Sequence, residues 1–131
     1  MRLFNFFKRK QPTISPQPIT GLLDKSKSTG KDFEFLLSGD FDIPADKYDE
    51  IMTPSSFYWT KIQKDNWNYY QVGQDEFSYS LEMPGIQMMF NTDITYQKAR
   101  QIADEVVVNL NAAGYETELI TLDKTKVYRF D

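Results

Sequence analysis

The chain has 131 residues, 40% apolar and 26% charged, and contains neither cysteine nor histidine. That length fits one domain with its own core plus an arm, and the missing residue types exclude disulfides, zinc–thiolate sites, and Ser-His-Asp or Cys-His catalysis. Charge divides the chain at about residue 31: residues 1–31 carry seven Lys/Arg against Asp24 alone (net +6), residues 32–131 carry eight against eighteen Asp/Glu (net −10), and the overall −4 hides this dipole.

Residues 1–10, Met1-Arg2-Leu3-Phe4-Asn5-Phe6-Phe7-Lys8-Arg9-Lys10, form a basic, aromatic head. As a helix it would gather Leu3, Phe6 and Phe7 on one side with a basic end. Three readings stand open: contact with an anionic membrane surface through Phe4, Phe7, Lys8, Arg9 and Lys10; docking onto the acidic domain or a partner; and an uncommitted terminus. The apolar cluster is too short for a signal-peptide core, and no apolar run approaches the roughly 20 residues of a membrane span. Stable membrane insertion is not expected, and a cytoplasmic location is. Residues 11–31, with Pro12, Pro16, Pro18, Gly21, Gly30 and a Ser/Thr/Lys mixture, read as a flexible tether. Gly30-Lys31 fails as a phosphate loop, because Lys25 stands where its first glycine belongs and Asp32 where Ser or Thr would follow.

Residues 32–131 read as a single acidic α+β domain. Phe33, Phe35 and Leu37 alternate with Glu34, Leu36 and Ser38 as in a strand. After Pro44, residues 45–52 place Tyr48, Ile51 and Met52 at helical spacing, and Pro54 stops that short helix. Four strand-like segments follow, 57–63, 67–72, 76–83 and 86–91, separated by polar breaks short enough to make neighbours antiparallel. With Pro84-Gly85 as turn centre, Leu81 pairs Met88 and Tyr79 pairs Phe90. Ala99, Ile102, Ala103, Val106, Val107, Leu110 and Ala113 form an apolar stripe on a long helix over about 95–113. Asp93 or Thr95 caps its start, and Gly114 supplies the left-handed position at its end. Strands at 115–122 and 126–130 complete a mostly antiparallel, curved sheet of five to seven strands with the long helix on one face. A crossover through that helix would set 115–122 parallel to its neighbour.

Two constellations are candidates for function. Phe57, Tyr58, Trp59, Trp67, Tyr69 and Tyr70 put aromatic rings on both faces of the sheet, since successive strand residues alternate. One face can lie under the helix; the other needs a cover or a partner. Asp40, Asp42, Asp46, Asp49 and Glu50 form an acidic run that reads as a solvated turn with helix caps, as a surface for a basic partner, or as oxygen ligands of a cation in the manner of an Asp-x-Asp motif at Asp40–Asp42. No metal or cofactor is assigned. The net −10 of the domain repels nucleic-acid phosphates and suits basic proteins.

In its small size, acidic Trp/Tyr-rich α+β domain, lack of catalytic residues and Leu-Phe-Asn-Phe-Phe-Lys-Arg-Lys head, the chain resembles the immunity proteins that bacteria encode beside secreted antibacterial toxins. The resemblance implies neutralisation of a cognate toxin by direct binding, often across its active site, and assigns no individual residue. The expectation is therefore a non-enzymatic inhibitor of a basic toxin domain. Asp40, Asp42, Asp46, Asp49 and Glu50 would steer the partner, and Trp59, Trp67, Tyr69 and Tyr70 would anchor it. Two other classes stay open: a membrane-peripheral adaptor using the basic arm, and a small-ligand domain or carboxylate enzyme with a pocket between sheet and helix.

Overall fold

A computed structural model describes residues 25–125. The head, with Phe4, Phe7, Lys8, Arg9 and Lys10, the first part of the tether, and the strand expected at 126–130 lie outside the described residues. In chain order the elements are β1 (Phe33–Ser38), α1 (Ala45–Ile51), β2 (Thr60–Lys64), β3 (Trp67–Val72), β4 (Asp75–Glu82), β5 (Gly85–Phe90), α2 (Tyr96–Ala112) and β6 (Glu118–Asp123). The fold is α+β. Its six described strands form one sheet in the order β2-β3-β4-β5-β1-β6, antiparallel at every pairing.

Strand alternation sorts the side chains. Phe33, Phe35 and Leu37 of β1 are buried on the same face as Ile86, Met88 and Phe90 of β5, Phe77 of β4, and Tyr70 and Val72 of β3. The stripe of α2, Ala99, Ile102, Ala103, Val106 and Leu110, is fully buried in the same core. Thr95 caps α2 by accepting from the Lys98 N–H at 3.2 Å. Gly114, at φ +99°, ends it: Tyr115 N–H donates to Leu110 O at 2.9 Å and Gly114 N–H to Asn111 O at 3.0 Å, which closes a Schellman motif.

Four expectations are corrected. First, β6 does not pair with a parallel neighbour. It runs in the same direction as β5, but β1 lies between the two and bonds antiparallel to both, so the strand–helix–strand crossover is split by the N-terminal strand. Second, the β4–β5 hairpin pairs Leu81 with Ile86 and Tyr79 with Met88, two residues from the expected register. The loop is Met83-Pro84, and Gly85 is already in the strand. A Cβ there would lie 1.9 Å from the Leu37 carbonyl oxygen, so Gly85 serves close strand packing and not the turn. Because the slip is by two, every side chain keeps its expected face.

Third, residues 57–59 are not part of β2. Ser55 Oγ donates to Asn109 Oδ1 at 3.2 Å and Ser56 N–H to Glu105 Oε1 at 2.8 Å, and these bonds hold the start of the segment against α2, so that β2 begins only at Thr60. Fourth, the end of the tether belongs to the domain. Gly30 N–H donates to Ile94 O at 2.9 Å, Thr29 bridges Thr95, and Ser28 and Gly30 are buried, so the packed chain begins before Asp32.

Candidate functional site

The site is built around α1. Pro44 opens the helix in an extended conformation, and Asp46 lies in its first turn, where the helix dipole favours a carboxylate. Tyr48, Ile51 and the C-cap residue Met52 face the core, as the spacing predicts. The carbonyls at the end of α1 would be orphans without side-chain donors. Thr53 Oγ1 donates to Asp49 O at 2.6 Å, Asn109 Nδ2 to Ile51 O at 3.2 Å and to Thr53 O at 2.9 Å, and Tyr79 Oη to Met52 O at 2.8 Å. Side chains from α2 and β4 therefore fix α1 over the sheet face that α2 also covers.

Asp49 sits at the centre. Its Oδ1 accepts from the Tyr70 hydroxyl at 2.6 Å and its Oδ2 pairs with Lys61 Nζ at 3.1 Å. Partial burial pushes the carboxyl up, but the hydrogen bonds from Tyr70 and Lys61 and the lysine charge outweigh it and leave Asp49 below the ordinary carboxylate range. The neighbouring phenols move the other way. Burial, followed by the Asp49 charge, pushes Tyr48 up to about 12. Burial also raises Tyr79 far above its ordinary value, and burial together with the bond to Asp49 raises Tyr70. All three phenols are neutral at physiological pH.

Beside this cluster lies a cavity of about 240 Å³ lined by Tyr48, Asn66, Trp67, Asn68, Tyr70 and Tyr79. Asn66 brings the β2–β3 hairpin to its wall, and the two-residue loop of that hairpin, Asp65-Asn66, has positive φ at both positions, 53° and 63°. That conformation suits Asn and Asp and matches the twist of the flanking strands. A larger trough of about 600 Å³ runs along the outer flank of α2, lined among others by Lys25, Tyr96, Arg100 and Asp104. It is open to solvent and not between sheet and helix, and its Arg100 and Asp104 pair with each other at 2.9 Å.

The residues expected to bind a partner do not share one surface. Asp40, Asp42, Asp46 and Glu50 are exposed, and none enters an ion pair among the described residues. Tyr70 is only 2% exposed and stacks on Phe77, with ring centroids 5.4 Å apart, so it is a core residue and not a surface anchor. Trp59 is half-buried with its ring edge on Tyr70, at 5.9 Å. Trp67, 43% exposed, and Tyr69 take the opposite face of the sheet by alternation, although Trp67 reaches the cavity rim. Lys64 lies 4.5 Å over the Tyr69 ring. No described element packs over this opposite face, which also carries Leu36, Met89 and Ile120. Among the described residues no three carboxylates converge on a possible metal site.

The sequence reading missed the apolar part of the site. Leu81 and Met83, 85% and 95% exposed, form the tip of the β4–β5 hairpin. Gly39 N–H donates to Pro84 O at 3.1 Å, which places that tip beside Asp40. The reading also missed Tyr48 and Tyr79 as polar groups, because their spacing marks them as core. The available signal was chemical: a phenol on a buried face must find a hydrogen-bond partner, so two of them imply polar atoms gathered at one place.

No helix among the described residues is long and apolar enough to cross a membrane. No family model matches the chain, and no match is found among curated proteins or solved structures.

Proposed function

We propose that the protein is a non-enzymatic inhibitor that binds a basic protein partner, of the immunity type that neutralises a toxin domain. One observation carries this reading: the exposed carboxylates of Asp40, Asp42, Asp46 and Glu50, none of them ion-paired among the described residues, lie on one chain segment that meets the β4–β5 hairpin, with its exposed Leu81 and Met83, through the bond from Gly39 to Pro84. Exposed charge of one sign speeds association with a basic partner, and adjoining apolar side chains slow its release. The sheet that carries this hairpin is held by a core of interlocked rings, so the surface is preformed and loses little freedom on binding.

The test is copurification from native cells of the full chain and of a variant with Asp42→Lys, Asp46→Lys and Glu50→Lys, with the recovered partner identified by mass spectrometry and expressed alone and with the chain. The expected result is a basic protein that is lost with the variant, that stops growth when expressed alone and that the wild-type chain renders harmless. A partner retained equally by the variant, or one without toxicity, contradicts the reading.

A further inference from the structure

The cavity to which Tyr48 of α1 contributes is walled by aromatic rings, hydroxyls and amides. A hydroxyl group has one proton to donate and two lone pairs to accept with. Tyr70 has committed its proton to Asp49 and Tyr79 has committed its proton to Met52 O. Both residues line the cavity, and where their oxygens reach it they offer acceptor capacity alone. The side-chain oxygens of Asn66 and Asn68 add more, and the Tyr48 hydroxyl has no hydrogen-bond partner among the described residues. Aromatic faces of Tyr48 and Tyr79, whose rings meet edge to face at 6.3 Å, and Trp67 at the rim complete the wall.

Size narrows the choice. At about 240 Å³ the space lies below the roughly 300–1,000 Å³ typical of small-molecule sites. It suits a single side chain carried in by a protein. The Asn66 and Asn68 amides can turn either oxygen or N–H inward, so the choice of charge falls to the surroundings, and the net −10 of residues 32–131 favours a cation over an anion. A planar guanidinium brings several donors on a rigid fork and stacks well on aromatic rings, whereas an ammonium concentrates its donors at one point.

We infer that this cavity is a socket for one arginine side chain of the basic partner, with the guanidinium bonding to the tyrosine and asparagine oxygens between aromatic walls. The inference rests on the partner-binding reading above and specifies how the partner is held. Asp49, held by Lys61 at 3.1 Å, accepts from the Tyr70 hydroxyl, and the exposed Asp46 and Glu50 of the same helix add negative charge to the approach of a cation.

The test is an NMR titration of the full chain, labelled at its tyrosine rings and backbone amides. The probes are N-acetyl-arginine amide, the uncharged isostere N-acetyl-citrulline amide, and tri-arginine. The arginine probe should shift the Tyr48, Tyr70 and Tyr79 ring signals saturably with a Kd of about 1–10 mM, and citrulline should bind at least about tenfold more weakly. Tyr48→Phe removes a hydroxyl that has no hydrogen-bond partner among the described residues, so the fold should persist while arginine binding weakens several-fold. Equal binding of citrulline, or rings that do not respond, overturns the socket. Tri-arginine separates this failure from that of the broader reading. Shifts confined to the amides of residues 40–50 would discard the socket and keep the acidic surface, and no shift anywhere would discard both.

Discussion

The Tyr70 hydroxyl donates to the Asp49 carboxylate at 2.6 Å, and this bond joins the buried face of β3 to the short helix α1. A helix of seven residues has too few internal bonds to persist alone. Its position therefore depends on such tertiary bonds. Tyr70→Phe keeps the ring stack on Phe77 and removes only the donor. It should lower stability by about 1–2 kcal/mol, at the lower end for a hydrogen bond to a charged group because Asp49 is partly solvated. Urea denaturation would measure the loss, and an unchanged midpoint would show that the bond is not needed.

Asn109 is the second tie. Its amide donates to the carbonyls of both Ile51 and Thr53, at the point where α1 runs out of its own donors. Asn109→Ala should cost about 1–3 kcal/mol, since two carbonyls lose their partner at once. The amides of residues 46–53 should then exchange with solvent faster than those of β1 and β5. Uniform exchange would place the loss elsewhere in the fold.

Two glycines are required for different reasons. Gly85 needs space, because an added methyl would meet the Leu37 carbonyl at 1.9 Å. Gly114 needs only its conformation, at φ +99° with nothing near the missing Cβ. Gly85→Ala should therefore be severe, about 3 kcal/mol or more, while Gly114→Ala should cost about 1 kcal/mol. Equal thermal shifts for the two variants would contradict this assignment.

The raised phenols make an alkaline prediction. Each binds its proton more tightly in the folded state than in the unfolded chain, so its contribution is complete below the unfolded value near 10 and is lost as pH rises through the folded value, about 12 for Tyr48. The urea midpoint should fall as pH climbs above about 10, and part of the tyrosinate absorbance should appear only on unfolding. Asp49 acts in the opposite direction. Its lowered carboxyl stabilises the fold above its unfolded value near 3.8, and that contribution disappears as pH falls through the lower folded value. Full ionisation of every tyrosine in the native state at pH 10 to 11 would contradict the burial of Tyr48, Tyr70 and Tyr79.

Local patterns were legible in the sequence where one periodicity dominated. The alternation of Phe33, Phe35 and Leu37 gives β1 its bounds, Trp67–Val72 gives β3 its bounds, and the stripe from Ala99 to Leu110 places α2 with its Thr95 cap and Gly114 stop. Register was harder, because Pro84-Gly85 resembles a turn centre while the space beside Leu37 decides what Gly85 does. The insertion of β1 between β5 and β6 is a long-range choice that local composition does not encode. For the site, the exposed carboxylates stood out as charge, but the faces of Trp67 and Tyr70 depended on which side both helices would cover. Tyr48 and Tyr79 were hidden because the same residues serve core packing and cavity lining.

Hydrogen exchange on the complex with the copurified partner tests the central claim most directly, because the two faces of the sheet give opposite answers. Binding at the acidic segment and the socket predicts slowed exchange at residues 40–52, 66–70 and 81–84, with the strands carrying Leu36, Met89 and Ile120 unaffected. Slowed exchange along Leu36, Met89 and Ile120, with residues 40–52 unchanged, would place the partner on the side of the sheet opposite the helices and contradict the account.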